Sequence, residues 1–317
     1  MFIVNHRRFF FWLTGLLLVG SIAALVIIPP QLSIEFTGGS LVEVVYAGER
    51  PSHDDLVSRM NALGLTEASV RESGERGLVV RTHALTPEEH TTLLAALSGD
   101  GAAPLTELRF NSIGPSLGQE LAIKAIYAIA AVTLAIMLYI AFAFRGVARP
   151  VPAWGYGIIS VLMLAIDIIV PAGFFAVYAA FTGAQIDTLF VVALLALMGY
   201  CINDVIVIFD RIREHLRANE EQKVAEPFET TVGKSITETL GRSINTSLTV
   251  ALALVAILVF GSESVETFAL VMLVGVIIGT FSSIARSAPL LIPVAAWAEK
   301  RHAAKAAREA ANEKKAA

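Results

Sequence analysis

Residues 189–209 read LFVVALLALMGYCINDVIVIF, an apolar run with one charged residue, Asp204. About 20 consecutive apolar residues suffice for a helix to cross a bilayer. The whole chain agrees with this, because 55% of its 317 residues are hydrophobic and 16% are charged, whereas a soluble domain has about 25% charged residues. The sequence therefore predicts an α-helical polytopic membrane protein.

Five other runs are long and apolar enough to cross, so six transmembrane helices are predicted. The six segments are Phe9–Ile28, Ile126–Phe144, Trp154–Phe181, Leu189–Phe209, Ile244–Phe260 and Phe268–Ala285. The first is too long for a signal-peptide core and no A-x-A cleavage site follows it, so we interpret it as a retained anchor. In the third, Pro171 and Gly173 favour a kink or an early end.

The distribution of Lys and Arg predicts the topology. Both termini and the loops after spans two and four are basic, whereas residues 182–188 and 261–267 contain no Lys or Arg. By the positive-inside rule both termini face the cytoplasm. The predicted division is 1–28 (cytoplasmic N-terminus and span one), 29–121 (an extracytoplasmic domain), 122–297 (spans two to six) and 298–317 (a basic cytoplasmic tail).

Residues 29–121 carry the signals of a small α+β fold. The predicted strands are Leu41–Ala47, Ala68–Glu72, Leu78–Thr82 and Leu105–Asn111. One predicted helix begins after Ser52 and stops at Gly64, and the other opens with the capping box of Thr86 and Glu89 and stops at Gly99. The order β-α-β-β-α-β is typical of a ferredoxin-like domain.

Composition excludes several functions. The net charge of −4 argues against nucleic-acid binding, and the single cysteine, Cys201, excludes an intrachain disulfide. The six histidines lie far apart without metal-ligand spacing. We therefore expect no metal, no cofactor and no enzymatic activity, and we interpret Cys201 as a small packing residue.

Charged residues inside the spans are the candidate functional residues. An ionisable group at the bilayer centre costs about 2.5–3.5 kcal/mol, so it usually faces the interior of the bundle and serves a function. Asp167 lies deep in span three, and Asp204 lies in span four with Tyr200 one turn earlier.

Span five opens with Arg242, and a polar stripe follows it at helical spacing: Asn245, Thr246 and Thr249. Arg242 approaches the membrane from the same side as Asp204, so the two could pair or compete for a proton. One interpretation is a structural ion pair. The favoured one is a proton or ion pathway, because moving the arginine would change the proton affinity of the carboxylate.

Two features of span six are weaker candidates. Gly275, Gly279 and Ser283 form a stripe of small residues for close helix packing, within the chain or against a partner. Arg286 is expected to extend to the cytoplasmic interface.

Several of these motifs together resemble the SecF proteins of the SecD/SecF family, in the resistance-nodulation-division (RND) superfamily. They are Phe36–Ser40 (FTGGS), Ile113–Gly118 (IGPSLG), Gly199–Glu214 (GYCINDVIVIFDRIRE), Gly241–Ser247 (GRSINTS) and Gly275–Ile284 (GVIIGTFSSI). The chain departs from the family at Val205, where threonine is frequent, and at Glu35, where aspartate commonly precedes this motif. Arg286 occupies a stretch that is usually apolar or small.

The resemblance implies an RND-type half bundle that pairs with SecD in a bacterial inner membrane. It implies use of the proton-motive force, on the far side of the membrane, to promote passage of preproteins through the SecYEG channel. The coupling ion would be H+. By motif match Asp204 and Arg242 would relay protons. Asp167, which matches a carboxylate often found in the family's third span, would be a third member. Tyr200, Asn203, Asn245, Thr246 and Thr249 would form a supporting polar face.

Three alternatives stay open at this point. An RND-type half-transporter of a small molecule or lipid would need a substrate-sized groove in the soluble domain. An intramembrane aspartyl protease would pair Asp167 with Asp204, but the chain has no Gly-x-Gly-Asp at Asp204. A purely structural membrane scaffold is the third.

Overall fold

A computed structural model describes residues 2–65, 68–145, 150–262 and 265–316. The chain divides into two compact units. The helical unit comprises residues 1–30, 128–184 and 189–317, and the sheet unit comprises residues 31–127 and 185–188.

The described residues contain six helical runs long and apolar enough to cross a membrane, which confirms the predicted number. A one-turn helix, α1 (Phe2–Asn5), precedes the first. The runs are α2 (Arg7–Ile27), α6 (Pro115–Ala143), α7 (Ala153–Thr182), α8 (Thr188–Glu221), α9 (Phe228–Phe260) and a sixth formed by α10 (Glu266–Ser282), a π-helical segment (Ser283–Ser287) and α11 (Ala288–Ala316).

Several of these helices are longer than predicted. Helix α6 begins at Pro115 rather than near Ile126, and α9 begins at Phe228 rather than near Ile244. Hydropathy marks only the part of a helix that matches lipid, whereas backbone hydrogen bonds continue through polar turns. The expected early end of span three is wrong, because α7 continues past Pro171 to Thr182.

Three of the runs form the centre of the helical unit. In α7, α8 and the sixth run, half or more of the apolar window is buried, whereas only 6–17% of it is buried in α2, α6 and α9. The core side chains include Met163, Met198, Ile208 and Phe209. The three central runs also carry the buried charged residues described below.

The sheet unit has the predicted ferredoxin-like order. After a one-turn helix, α3 (Ile34–Thr37), its elements are β1 (Gly39–Tyr46), α4 (His53–Ala62), β2 (Ser69–Ser73), β3 (Gly77–Thr82), α5 (Pro87–Ser98) and β4 (Leu105–Ile113). The strands lie in the order β2-β3-β1-β4, and each neighbouring pair is antiparallel.

Both helices of this unit contribute to the core against the sheet. Val42, Val44 and Tyr46 of β1 are buried together with Leu56 of α4 and Leu93 of α5. The caps form as predicted: the side chain of Ser52 accepts from the backbone of Asp55, and Thr86 and Glu89 form a complete capping box. The local signals of the sequence therefore set the ends of both helices.

Candidate functional site

Asp167 and Arg286 form a buried pair inside the helical unit. Each is only 1% exposed, and Arg286 Nη2 lies 3.6 Å from Asp167 Oδ1. The same nitrogen donates to the carbonyl of Ile278 at 3.4 Å. The expected extension of Arg286 to the cytoplasmic interface is therefore wrong.

The surroundings of Arg286 explain why its charge is buried. It lies in the π-helical segment, where Ser283 and Ser287 are fully buried and small. A buried cation needs a nearby anion, and Asp167 supplies one. The helix also continues through this segment to residue 316, beyond the predicted end of span six at Ala285.

This pair is only partly satisfied by hydrogen bonds. Asp167 Oδ1 and both Nε and Nη1 of Arg286 have no hydrogen-bond partner among the described residues. Pro171 also lacks the amide hydrogen that would bond the Asp167 carbonyl four residues earlier. Unpaired polar groups in an apolar core are costly, and they are typical of functional sites and of positions filled by water.

Asp204 is buried like Asp167 but has no arginine in direct contact among the described residues. It is 4% exposed, and its Oδ2 has no hydrogen-bond partner in the described part of the chain. Arg242 interacts with it electrostatically, but no ion pair within 4 Å joins them among the described residues. Arg242 lies on the exposed side of the outer helix α9.

The region between the two carboxylates is closely packed. Cys201 lies one turn before Asp204 on α8, is 1% exposed, and interacts with both carboxylates. Gly279 of α10 makes room for it, since a Cβ at this glycine would lie 2.2 Å from Cys201 Sγ. A Cβ at Gly275 would likewise lie 2.2 Å from Leu197 Cδ2. The two glycines therefore pack within the chain, against α8.

A set of hydroxyl groups links three helices beside Asp204. Tyr200 Oη of α8 donates to Ser247 Oγ of α9 at 2.9 Å, and Thr280 Oγ1 of α10 donates to the same oxygen at 2.5 Å. Tyr200 was predicted as part of the polar face, whereas Ser247 and Thr280 were not. The spacing of four between Ser243 and Ser247 is the helical signal that could have indicated Ser247.

The predicted polar stripe on α9 points outward. Asn245 and Thr249 are exposed, and Thr246 is half-buried. The two threonine hydroxyls donate to carbonyls of their own helix, Thr246 at 2.9 Å to Arg242 and Thr249 at 2.8 Å to Thr246. Asn203 on α8 is also exposed. These residues line an outer surface of spanning helices rather than the interior.

The pair of Asp167 with Arg286 differs from that of Asp204 with Arg242 in where the guanidinium lies. Arg286 is enclosed with Asp167, and each side chain is almost fully buried within the described residues. Asp204 keeps an unpaired oxygen, and its cation lies on an exposed face. An arrangement of this kind allows a carboxylate to bind and release a proton as the cation moves.

Comparison with known proteins places these residues in a family. The family model described as "Protein export membrane protein SecD/SecF, C-terminal" matches residues 96–297. The chain is 35% identical over 292 residues to the protein translocase subunit SecF of Anaerolinea thermophila, and the match covers 92% of each chain. The chain belongs to the SecD/SecF family. A SecF of Thermobaculum terrenum is also 35% identical, over 92% of each chain.

Larger SecDF proteins of this family contain the same region as one part. The chain matches 36% of the SecDF of Bacillus subtilis, at 28% identity over 88% of this chain. It matches 38% of the solved chain of SecDF, a translocon-associated membrane protein from Thermus thermophilus, with 29% identity and a TM-score of 0.76 over 92% of this chain. A SecDF structure in a super-membrane-facing form matches with a TM-score of 0.64 and 30% identity.

Proposed function

We propose that this chain is the SecF-type subunit of a translocase accessory complex, and that it uses the proton-motive force to promote preprotein translocation. Membership of the SecD/SecF family supports an accessory role in Sec translocation. The observation that carries the coupling step is the Asp204 carboxylate, which is buried and keeps an unpaired oxygen, while Arg242 lies exposed on the next helix.

In this proposal Asp204 exchanges protons and Arg242 controls its proton affinity. When the guanidinium lies close, it favours the ionised carboxylate, and when it moves away the buried carboxylate favours its proton. One charge that crosses the membrane field releases about 2.3 kcal/mol per 100 mV, which is enough for a modest helix displacement. The coupling ion is H+, and the chain needs no other cofactor and catalyses no covalent chemistry.

The proposal includes partners and a location. The SecDF proteins, in which this region is joined to a second part, support a SecD-type partner. In this proposal that partner covers the exposed polar stripe of α9. The accessory complex would act with a SecYEG channel on emerging preproteins, in a bacterial inner membrane. The distribution of Lys and Arg supports cytoplasmic termini and a sheet unit on the far side.

Gradient-driven preprotein release from membrane vesicles tests the proposal. We expect Asp204→Asn to abolish the stimulation by a proton gradient, because the amide cannot take up and release a proton, while subunit levels stay normal. The matched control is Asp210→Asn on the same helix, since Asp210 is exposed and contacts Arg213 at 3.6 Å. Normal stimulation of preprotein release in Asp204→Asn vesicles would reject the relay. Gradient-driven movement of a small solute or a lipid, in place of preprotein release, would favour a half-transporter.

A further inference from the structure

The segment between α2 and β1 is hydrogen-bonded to the residues just before α8. Ser33 donates its backbone N–H to the carbonyl of Ile186 at 2.8 Å, and Ile186 donates to the carbonyl of Gln31 at 2.9 Å. Leu32 and Ile186 thereby form a short parallel bridge. These residues all lie in the sheet unit, which includes residues 185–188.

Glu35 adds a charged contact at this place. Its Oε2 accepts from the backbone N–H of Thr188, the first residue of α8, at 2.6 Å. The first amides of a helix have no partner within the helix, and its N-terminus attracts negative charge. The carboxylate therefore binds the end of α8 by a hydrogen bond and by charge.

Glu35 is itself held in a rigid turn. It lies in α3, where the side chain of Ser33 accepts from the Glu35 N–H at 3.2 Å. The turn ends at Gly38, whose φ of +77° favours glycine. A Cβ at Gly38 would lie 2.6 Å from Cα of Pro115, the first residue of α6, so its backbone packs directly on that helix.

One short segment thus contacts the first turns of two spanning helices. Packing of the Gly38 backbone on Pro115 leaves this turn little room for adjustment. Because Thr188 bonds to Glu35, a displacement of α8 at Thr188 acts on Glu35. Helix α8 also carries Asp204. Helix α8 therefore joins the Asp204 carboxylate to the bond between Thr188 and Glu35, and through that bond to the segment that leads into β1.

We infer that Glu35 is a positioning residue that transmits displacement of helix α8 to the sheet unit. The inference rests on the proposed function, because it concerns what the proton-driven displacement moves. In this scheme the role of Glu35 is to keep α8 attached to the segment that leads into β1.

Vesicles that report proton uptake and preprotein release together test this role. We expect Glu35→Ala to keep proton uptake near the wild-type rate. The amount of preprotein released per proton should fall roughly fivefold, which is at the low end of the coupling usually found between two sites. Glu35→Asp should restore release, because it keeps the charge that the family resemblance places here. Glu49→Ala, an exposed carboxylate of the same unit, is the matched control. Unchanged release per proton in Glu35→Ala would overturn the inference.

Amide hydrogen exchange tests the same link without export. With Glu35 present, Asp204→Asn should change exchange in β1, because the substitution imitates the protonated carboxylate. The change should disappear when Glu35→Ala is added, and its persistence would overturn the inference. Absence of gradient-driven release in wild-type vesicles would count against the proposed function alone, since this exchange measurement does not depend on it.

Discussion

The two membrane carboxylates differ in what holds their countercharge. The guanidinium of Arg286 is enclosed in the core at 3.6 Å from Asp167, and that of Arg242 lies on an exposed face near Asp204. A buried charge that loses its partner is strongly destabilising, whereas an apolar pair of similar volume is often tolerated. The first arrangement suits a fixed structural role and the second a mobile one.

Substitution of the buried pair tests this difference. We expect Asp167→Asn or Arg286→Leu alone to destabilise the chain by about 3–5 kcal/mol, because each leaves one buried charge unpaired. The double variant Asp167→Leu/Arg286→Leu should recover most of this loss. Thermal unfolding in detergent measures stability, and gradient-driven release measures function.

The double variant also separates a structural pair from a relay. If Asp167 only stabilises the bundle, the folded double variant keeps gradient-driven release, whereas Asp204→Asn is not rescued by any change at Arg286. A stable double variant without gradient-driven release would instead make Asp167 part of the proton pathway, as the sequence resemblance implied.

At the scale of single elements, helix ends in the sheet unit follow from local chemistry. Thr86 donates its backbone N–H to Glu89 Oε2 at 2.8 Å, and Glu89 donates its N–H to Thr86 Oγ1 at 3.3 Å. The bonds to Thr86, with a smaller contribution from His83, hold the pKa of Glu89 below its ordinary value.

Because the pKa of Glu89 is lowered in the folded chain, the stability of α5 depends on pH. The stabilisation is complete above the ordinary Glu pKa of about 4.3 and is lost as the pH falls through the lowered value in the folded chain. We expect Glu89→Gln to flatten this dependence, and Thr86→Ala to cost about 1 kcal/mol. Amide exchange of α5 against pH measures both effects. Glu88→Gln, in the same turn but outside the capping box, should behave as the wild type, and a similar flattening in that control would contradict the assignment.

The same local chemistry explains how much of the fold could be predicted. Caps such as Ser52 and Thr86 act on neighbouring residues, so the sequence places those helices within about a residue. Arg286 shows the limit, because its burial depends on Asp167 in a helix far away in the chain. A serine-rich face at Ser282, Ser283 and Ser287 was the available signal that this part of span six is buried and polar.

For the whole molecule, the exposed polar residues on spanning helices need an explanation. Asn203, Arg242 and Asn245 are exposed on α8 and α9, within or beside apolar spans. Polar side chains that face lipid are unfavourable, and in membrane proteins they usually meet another helix. The sequence located the stripe, but only the packing shows that it points away from the interior of this chain.

Asn245→Leu distinguishes a lipid-facing from a partner-facing stripe, because the two settings predict effects of opposite sign. Against lipid, leucine is neutral or stabilising, since a polar amide leaves the hydrocarbon. Against a SecD-type partner, it removes an interhelical hydrogen bond of about 0.6–2 kcal/mol and lowers recovery of the partner severalfold. Co-purification from detergent extracts measures the ratio of the two subunits, with Leu138→Ala, exposed on α6, as the control. Equal recovery in both variants, together with a chain that stays active alone, would mean that this face meets lipid and that the half bundle is complete by itself.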